Sequence, residues 1–287
     1  MMEPKEQEIT IETKDGRTLS GLLVEPEEPR ISVIVSPAVA IPKERYLNFA
    51  KAGAARGAAV LLYDYRAQGA SVQGDIRKDL AGFGEWGRLD MPAAIRRLDQ
   101  LHPKLEMVGV HHSVGGWIMG LADNHDRLSR NAFVCVGWGY WKLKPLPFRY
   151  VEMFFWHLYG PSCVRLFGHI PQGGLWKGEP INPQLFAQWK AWCHSPECSP
   201  AVLAGGADQP HHYDEVTAKI RSFGYRDDPI ANEKTVPMVL SVYPKAECEE
   251  AWAAPSDFGL AKIGHEGLFS RKAAKAWAPV WDWLLGE

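Results

Sequence analysis

Ser113 lies in LEMVGVHHSVGGWIMG (105–120), where an apolar, strand-like run passes through His-His-Ser-Val-Gly-Gly directly into a helix-like run. A serine in such a sharp strand-to-helix turn needs small neighbours, and the turn lifts its hydroxyl above the sheet. A helix that starts beside Ser113 offers free N–H groups and the positive end of its dipole to developing negative charge. The N–H of Val114, the next residue, is then a candidate oxyanion donor. A second donor is expected in SPAVAIP (36–42), the turn after the apolar run ISVIVS (31–36). Ala38 and Val39 both qualify there, and Val39 is the choice.

A nucleophilic serine needs a base and a carboxylate that orients it. IRSFGYRDDPIA (220–231) places Asp227, Asp228 and Pro229 at the end of another apolar run, and Asp228 is chosen as the acid with Asp227 as runner-up. KIGHEGLF (262–269) sets His265 between glycines, ahead of the last helix-like segment. Imidazole titrates near neutrality and can both take and return a proton. The order Ser, Asp, His along the chain is one of the known arrangements of such a triad.

Other polar groups invite competing readings. The pairs His111-His112 and His211-His212 suggest metal, but adjacent strand residues point to opposite faces, so no metal site is assigned. His112, next to Ser113, is a candidate pocket residue. Five cysteines at irregular spacing match no zinc pattern and read as free thiols. With 46% hydrophobic and 23% charged residues the chain has ordinary globular composition, and a net charge of −2 gives no reason to expect nucleic acid as a partner. The charged start MMEPKEQEIT and the lack of a run of roughly 20 apolar residues lead us to expect a cytoplasmic protein without a membrane span.

The elements that must carry these residues follow from periodicity. EITIET and LSGLLVE flank Asp15-Gly16 and read as a hairpin. ISVIVS, AVLLYDY (59–65), LEMVGVH (105–111) and NAFVCVGW (131–138) read as buried strands, with helices over 44–56, from Asp90 as N-cap, and over 115–124. Such alternation implies an α/β class with a mostly parallel sheet flanked by helices. From about Trp138 the alternation stops. Six of the 12 tryptophans fall between Trp138 and Trp192, and 138–212 reads as an aromatic helical cap inserted between core segments 1–137 and 213–287. RKAAKAWAPVWDWLL (271–285) reads as a closing helix kinked at Pro279.

Together these pieces resemble the α/β-hydrolases, and more closely a bacterial group related to serine aminopeptidase-like and esterase hydrolases. Besides the Ser, Asp and His segments, the resemblance rests on FAKAGAARGAAVLLYDYRAQGAS (49–71), NHDRLSRNAFVCVGWGYWKLKPLPFRY (124–150), QWKAWC (188–193) and IGHEGLF (263–269). It implies the α/β-hydrolase fold with Ser113 as nucleophile, Asp228 as acid and His265 as base. Three residues depart from the pattern: His111, Ala67 and Ala40 each stand where glycine is expected. The expected activity is cleavage of an ester or thioester through an acyl-serine, with no cofactor. The expected partner is a small acyl substrate with an apolar acyl group; oligomeric state is left open. Trp138, Tyr140 and Phe154 join His112 as candidate substrate contacts, and Phe148, Tyr150, Phe155, Trp156 and Tyr159 are further aromatic candidates. A catalytically silent binding protein of the same fold, or an acyltransferase using the same triad, is the alternative.

Overall fold

The computed structural model describes residues 3–287. Strands β1 (Lys5–Glu12) and β2 (Thr18–Glu25) form the hairpin, and its turn uses Gly16 at φ 83°, a value glycine adopts without strain. Strands β3 (Ile31–Ser36), β4 (Ala58–Tyr63), β5 (Met107–His112), β6 (Leu128–Val134), β7 (Lys219–Tyr225) and β8 (Cys248–Ala253) complete an eight-stranded sheet. Its order is β1-β2-β4-β3-β5-β6-β7-β8. β1, β2 and β4 pair antiparallel; every neighbour from β4 to β8 is parallel. Every residue of β3, β4 and β5 is buried, as central parallel strands covered on both faces require. Edge strand β8 exposes Cys248, Glu249 and Glu250, and charge at an edge discourages further pairing.

The chain leaves β3 for β4 on one side and later enters β5 on the other. Open α/β sheets bind ligands beyond the carboxyl ends of strands at such a switch point. The two segments that leave those ends are the 36–42 turn and Ser113 itself. Helices α1 (Leu47–Ala54), α2 (Met91–Leu101) and α3 (Val114–Ile118) belong to this half. Between β6 and β7 lie α4 (Phe148–Phe154), α5 (Gly160–Phe167) and α6 (Pro183–His194), and α7 (Ala278–Leu285) closes the chain.

Several expected boundaries move. Asp90 is not an N-cap: its backbone is helical, it caps nothing, and its buried carboxylate accepts hydrogen bonds from Arg66 N at 2.8 Å and Nε at 2.7 Å. The helix already runs through a π turn, Trp86–Asp90, just ahead of Pro92. A second π turn, Phe155–Tyr159, precedes Pro161 at the same offset. Proline lacks the N–H for an ordinary helical bond and its ring presses on the preceding turn, which a wider turn relieves. The strand expected over 131–138 stops at Val134, because Cys135 turns to φ 53°. The helix expected over 115–124 tightens into a short 3₁₀ turn after Ile118. The closing helix is two pieces, a 3₁₀ run Arg271–Ala276 and α7, broken just before Pro279. Among the described residues, no helix is long and apolar enough to cross a membrane.

Candidate active site

Ser113 occupies the step from β5 to α3 at φ 51°, ψ −113°. An L-residue held there stores on the order of 1–3 kcal/mol of strain, which the surroundings must enforce. Ser113 N–H donates to Val134 O at 3.1 Å, and Gly116 N–H donates to Ser113 O at 3.1 Å. A Cβ on Gly115 would stand 2.9 Å from Ser36 O, and one on Gly116 would stand 2.6 Å from Val136 Cγ1. The two glycines therefore let α3 seat directly on the ends of β3 and β6.

His111, where the pattern expects glycine, does not crowd this turn. Its ring is buried against Phe133, with Nε2 2.9 Å from Asn131 Oδ1. The room comes from Gly109, two residues back on the same face of β5: a Cβ there would stand 2.3 Å from His111 Nε2. Burial lowers the His111 pKa to about 4, with the Asn131 hydrogen bond opposing, so the ring is neutral. The other two departures fall where glycine would be unstrained, Ala40 at φ 59° and Ala67 at φ 59°.

Ser113, His265 and Asp228 come together across 152 residues of sequence. Ser113 Oγ lies 2.9 Å from His265 Nε2, and His265 Nδ1 lies 2.8 Å from Asp228 Oδ2. These partners assign the proton to Nδ1 and leave Nε2 to accept from the serine. Asp228 is buried, and its other oxygen accepts from Ile230 N–H at 2.7 Å and Ala231 N–H at 3.1 Å. Burial pushes this carboxyl up, but the His265 charge and these hydrogen bonds outweigh it, and its pKa lies below the ordinary value. Asp227 has a different task. Its Oδ2 accepts from Ile263 N–H at 2.8 Å and Gly264 N–H at 2.9 Å, which ties down the loop that carries His265.

The 36–42 turn is held from below. Ala38 N–H donates to Tyr46 Oη at 2.9 Å, Ala40 N–H to Gln68 Oε1 at 2.9 Å, and Lys43 N–H to Asp64 Oδ1 at 2.8 Å. Asp64 and Gln68 belong to the YDYRAQGAS loop, so that segment serves to hold the turn. Val39 N–H has no acceptor among the described residues. As the first residue of α3, Val114 has an N–H with no partner inside its own helix.

His112 is a strut, not a pocket residue. Tyr46 O–H donates to its Nδ1 at 2.8 Å, and its Nε2–H donates to His265 O at 2.9 Å. Burial and the nearby His265 lower its pKa to about 3, so it stays neutral in this bridge. Tyr46 and His112 thus join the 36–42 turn to the His265 loop, a connection with no signal in the sequence beyond their being polar residues near the motif.

Ser113 and His265 open on a cavity of about 310 Å³. Its walls include Trp117, Phe148, Val151, Phe155, Trp156 and Trp176, with Lys144 and Glu152 among them. The other aromatic candidates lie elsewhere. Trp138 is fully buried with Nε1–H donating to Ser195 O at 2.9 Å, Tyr140 packs half-buried on the core, and Phe154 and Tyr150 face outward, 44% and 65% exposed. Tyr159 donates no wall either; its hydroxyl accepts from Trp176 N–H at 3.2 Å. A separate cluster gathers donor atoms of His125, His212 and Glu215 within 4.8 Å of one another.

No protein-family model matches the chain, and no curated protein matches it. Solved structures do. DcsB, in a complex with its substrate analogue, aligns with a TM-score of 0.67 at 15% identity over 98% of this chain and 99% of that one. The Pyrococcus furiosus esterase Pf2001 aligns at 0.64 and 15% identity over 98% and 91%. The α/β hydrolase GrgF from a Penicillium species aligns at 0.59 and 17% identity over 98% of both chains. Likeness at this identity speaks to architecture, and with the sheet order and the strained turn at Ser113 it establishes that this chain has the α/β-hydrolase fold.

Proposed function

We propose that the protein is a serine hydrolase that cleaves an ester or thioester through an acyl-serine. The observation that carries this reading is the unbroken hydrogen-bond chain Ser113–His265–Asp228, with Ser113 strained at the head of α3 and facing an apolar cavity. His265 Nε2 takes the Ser113 proton as Oγ attacks the acyl carbon. The negative charge on the carbonyl oxygen is held by Val114 N–H and Val39 N–H; Ala38 is the poorer second donor, since its N–H is already engaged by Tyr46. His265 then protonates the leaving oxygen or sulfur. In the second half it takes a proton from water, which attacks the acyl carbon and releases the acid and free Ser113. Asp228 keeps the imidazole oriented and stabilises it when protonated. No cofactor enters these steps. The aromatic walls from α4 and its π turn support residues 138–212 as a cap over the site and an apolar acyl group as the substrate body.

Labelling with a fluorophosphonate probe tests the reading. The native protein is expected to label, with labelling abolished in Ser113→Ala and after heat denaturation. A folded native protein that stays unlabelled and hydrolyses no ester or thioester would overturn it in favour of a binding protein.

A further inference from the structure

The wall formed by α4 and the following π turn mixes apolar and polar groups on both of its sides. Tyr150, Val151, Phe154 and Leu158 are exposed, whereas Glu152 on the same helical run is buried. Glu152 Oε1 accepts from Lys144 Nζ at 2.6 Å, with the two side chains only 11% and 1% exposed. Burying an ion pair is rarely repaid by its own attraction, and exposing those apolar side chains forgoes burial that the fold could have had. Glu152 Oε2 is buried without any hydrogen-bond partner, and so is Trp156 Nε1, four residues on. Buried unpaired polar atoms call for an explanation, and these two stand out among the others in this chain because both residues line one cavity. Glu152, Trp156 and Lys144 all line the cavity that contains Ser113, where the Trp117 and Trp176 indole N–H groups are already spent on Gly137 O and Glu179 O.

We propose that Glu152 Oε2 and Trp156 Nε1–H form a recognition pair for a neutral hydroxyl on an otherwise apolar substrate. This deepens, and rests on, the acyl-serine reading above. One unpaired acceptor and one unpaired donor match a hydroxyl, which donates to the carboxylate and accepts from the indole. Charge narrows the choice further. Lys144 already neutralises Glu152, so neither a substrate ammonium nor a carboxylate finds an unpaired charge in the buried part of the cavity; its other carboxylate, Glu266, is exposed to solvent. The substrate class is therefore an ester or thioester whose apolar, aryl or alkyl body carries a hydroxyl.

The test uses matched esters, 4-hydroxyphenylalkanoyl and ω-hydroxyalkanoyl against their deoxy parents at several chain lengths, with a parallel series varied in the alcohol. A site built to bond a hydroxyl rejects the analogue that lacks it, so in one series kcat/KM is expected to favour the hydroxylated ester by about tenfold or more. That ratio is expected to fall toward one in Trp156→Phe, which keeps the ring and removes the donor, and in Glu152→Gln, which puts an amide where the free carboxylate oxygen stands. Purely structural damage would lower both members of a pair and leave the ratio alone. A ratio near one in the native protein across all series, or one unmoved in both variants, overturns the proposal while ester cleavage itself stands. Should no ester be cleaved at all, the acyl-serine reading falls. Binding of 4-hydroxyphenylalkanamides against phenylalkanamides to Ser113→Ala then decides the recognition pair separately: a hydroxyl preference supports it and equal binding overturns it.

Discussion

The loops at the carboxyl ends of the strands and the helical wall above them solve opposite problems. Below, the atoms that hold the Ser113–His265 pair in place are engaged, although Asp227 Oδ1, His111 Nδ1 and Asn131 Nδ2 are buried without partners behind them. Asp228 accepts three hydrogen bonds, Asp227 two, and His112 bridges Tyr46 to the His265 backbone. Above, Glu152 and Trp156 keep buried polar atoms unpaired, and Tyr150, Val151, Phe154 and Leu158 are open to solvent. A satisfied network holds its members in one geometry, which suits a reacting centre. The unpaired atoms of Glu152 and Trp156 differ from those below in belonging to residues that line the cavity. On the function proposed above, chemistry belongs to the strand-end loops and selectivity to the helices between β6 and β7.

The sharpest way to break the lower network is at the two adjacent aspartates. Asp228→Asn is expected to reduce kcat by about 10⁴-fold, because the amide cannot hold the imidazole in the needed tautomer. Asp227→Asn is expected to cost far less, on the order of ten- to a hundredfold, through a loosened His265 loop, and to lower Tm with it. Comparable losses in the two variants, measured by steady-state kinetics with a model ester, would dissolve the distinction between orienting the base and anchoring its loop.

Gly109→Ala tests the packing under the turn. The new methyl would meet His111 Nε2 and Asn131 Oδ1 well inside contact distance. A loss of about 1–3 kcal/mol in denaturant unfolding is expected. An unchanged midpoint would mean that the His111 ring has another place to go.

The smallest effect concerns pH. His112 has its pKa lowered from the ordinary 6.5 to about 3 by burial. Below 6.5 the unfolded chain takes up a proton that the folded one refuses. The stability from neutral His112 is therefore complete above about 6.5 and is lost progressively as pH falls toward 3, by up to ~1.4 kcal/mol per pH unit. Thermal melts between pH 7.5 and 4.5 are expected to show a shallower acid decline in His112→Gln than in the native protein, even if the variant is less stable at pH 7.5. Parallel declines would locate the acid sensitivity elsewhere.

Much of the scaffold is legible one segment at a time. Apolar runs of six or seven residues, each followed by a turn or helix signal, suffice for β3, β4 and β5, because a strand buried on both faces has little freedom in composition. Boundaries are less legible where a proline intervenes. Both π turns and the break before Pro279 answer a missing N–H, and Asp90, a good cap by type, was bound instead to Arg66 from a distant loop. The aromatic-rich stretch announces a packed unit but not which rings face inward. Phe155 and Phe154 are neighbours, and only the first reaches the cavity.

Legible in the sequence alone are the alternation of strands and helices, the sharp turn at Ser113, and the order of that serine, two adjacent aspartates and His265 along the chain. These depend on neighbours within a few residues, where backbone geometry and burial period dominate. That Asp228 and not Asp227 meets the His265 ring is a tertiary outcome, since adjacent carboxylates differ in direction and not in type, and the imidazole that distinguishes them lies 37 residues away. The tertiary structure likewise spent the Ala38 N–H on Tyr46, made room for His111 over Gly109, and buried Glu152 beside Lys144. Each of those outcomes is a contact, set by which surfaces meet when the sheet and the inserted helices close on one another.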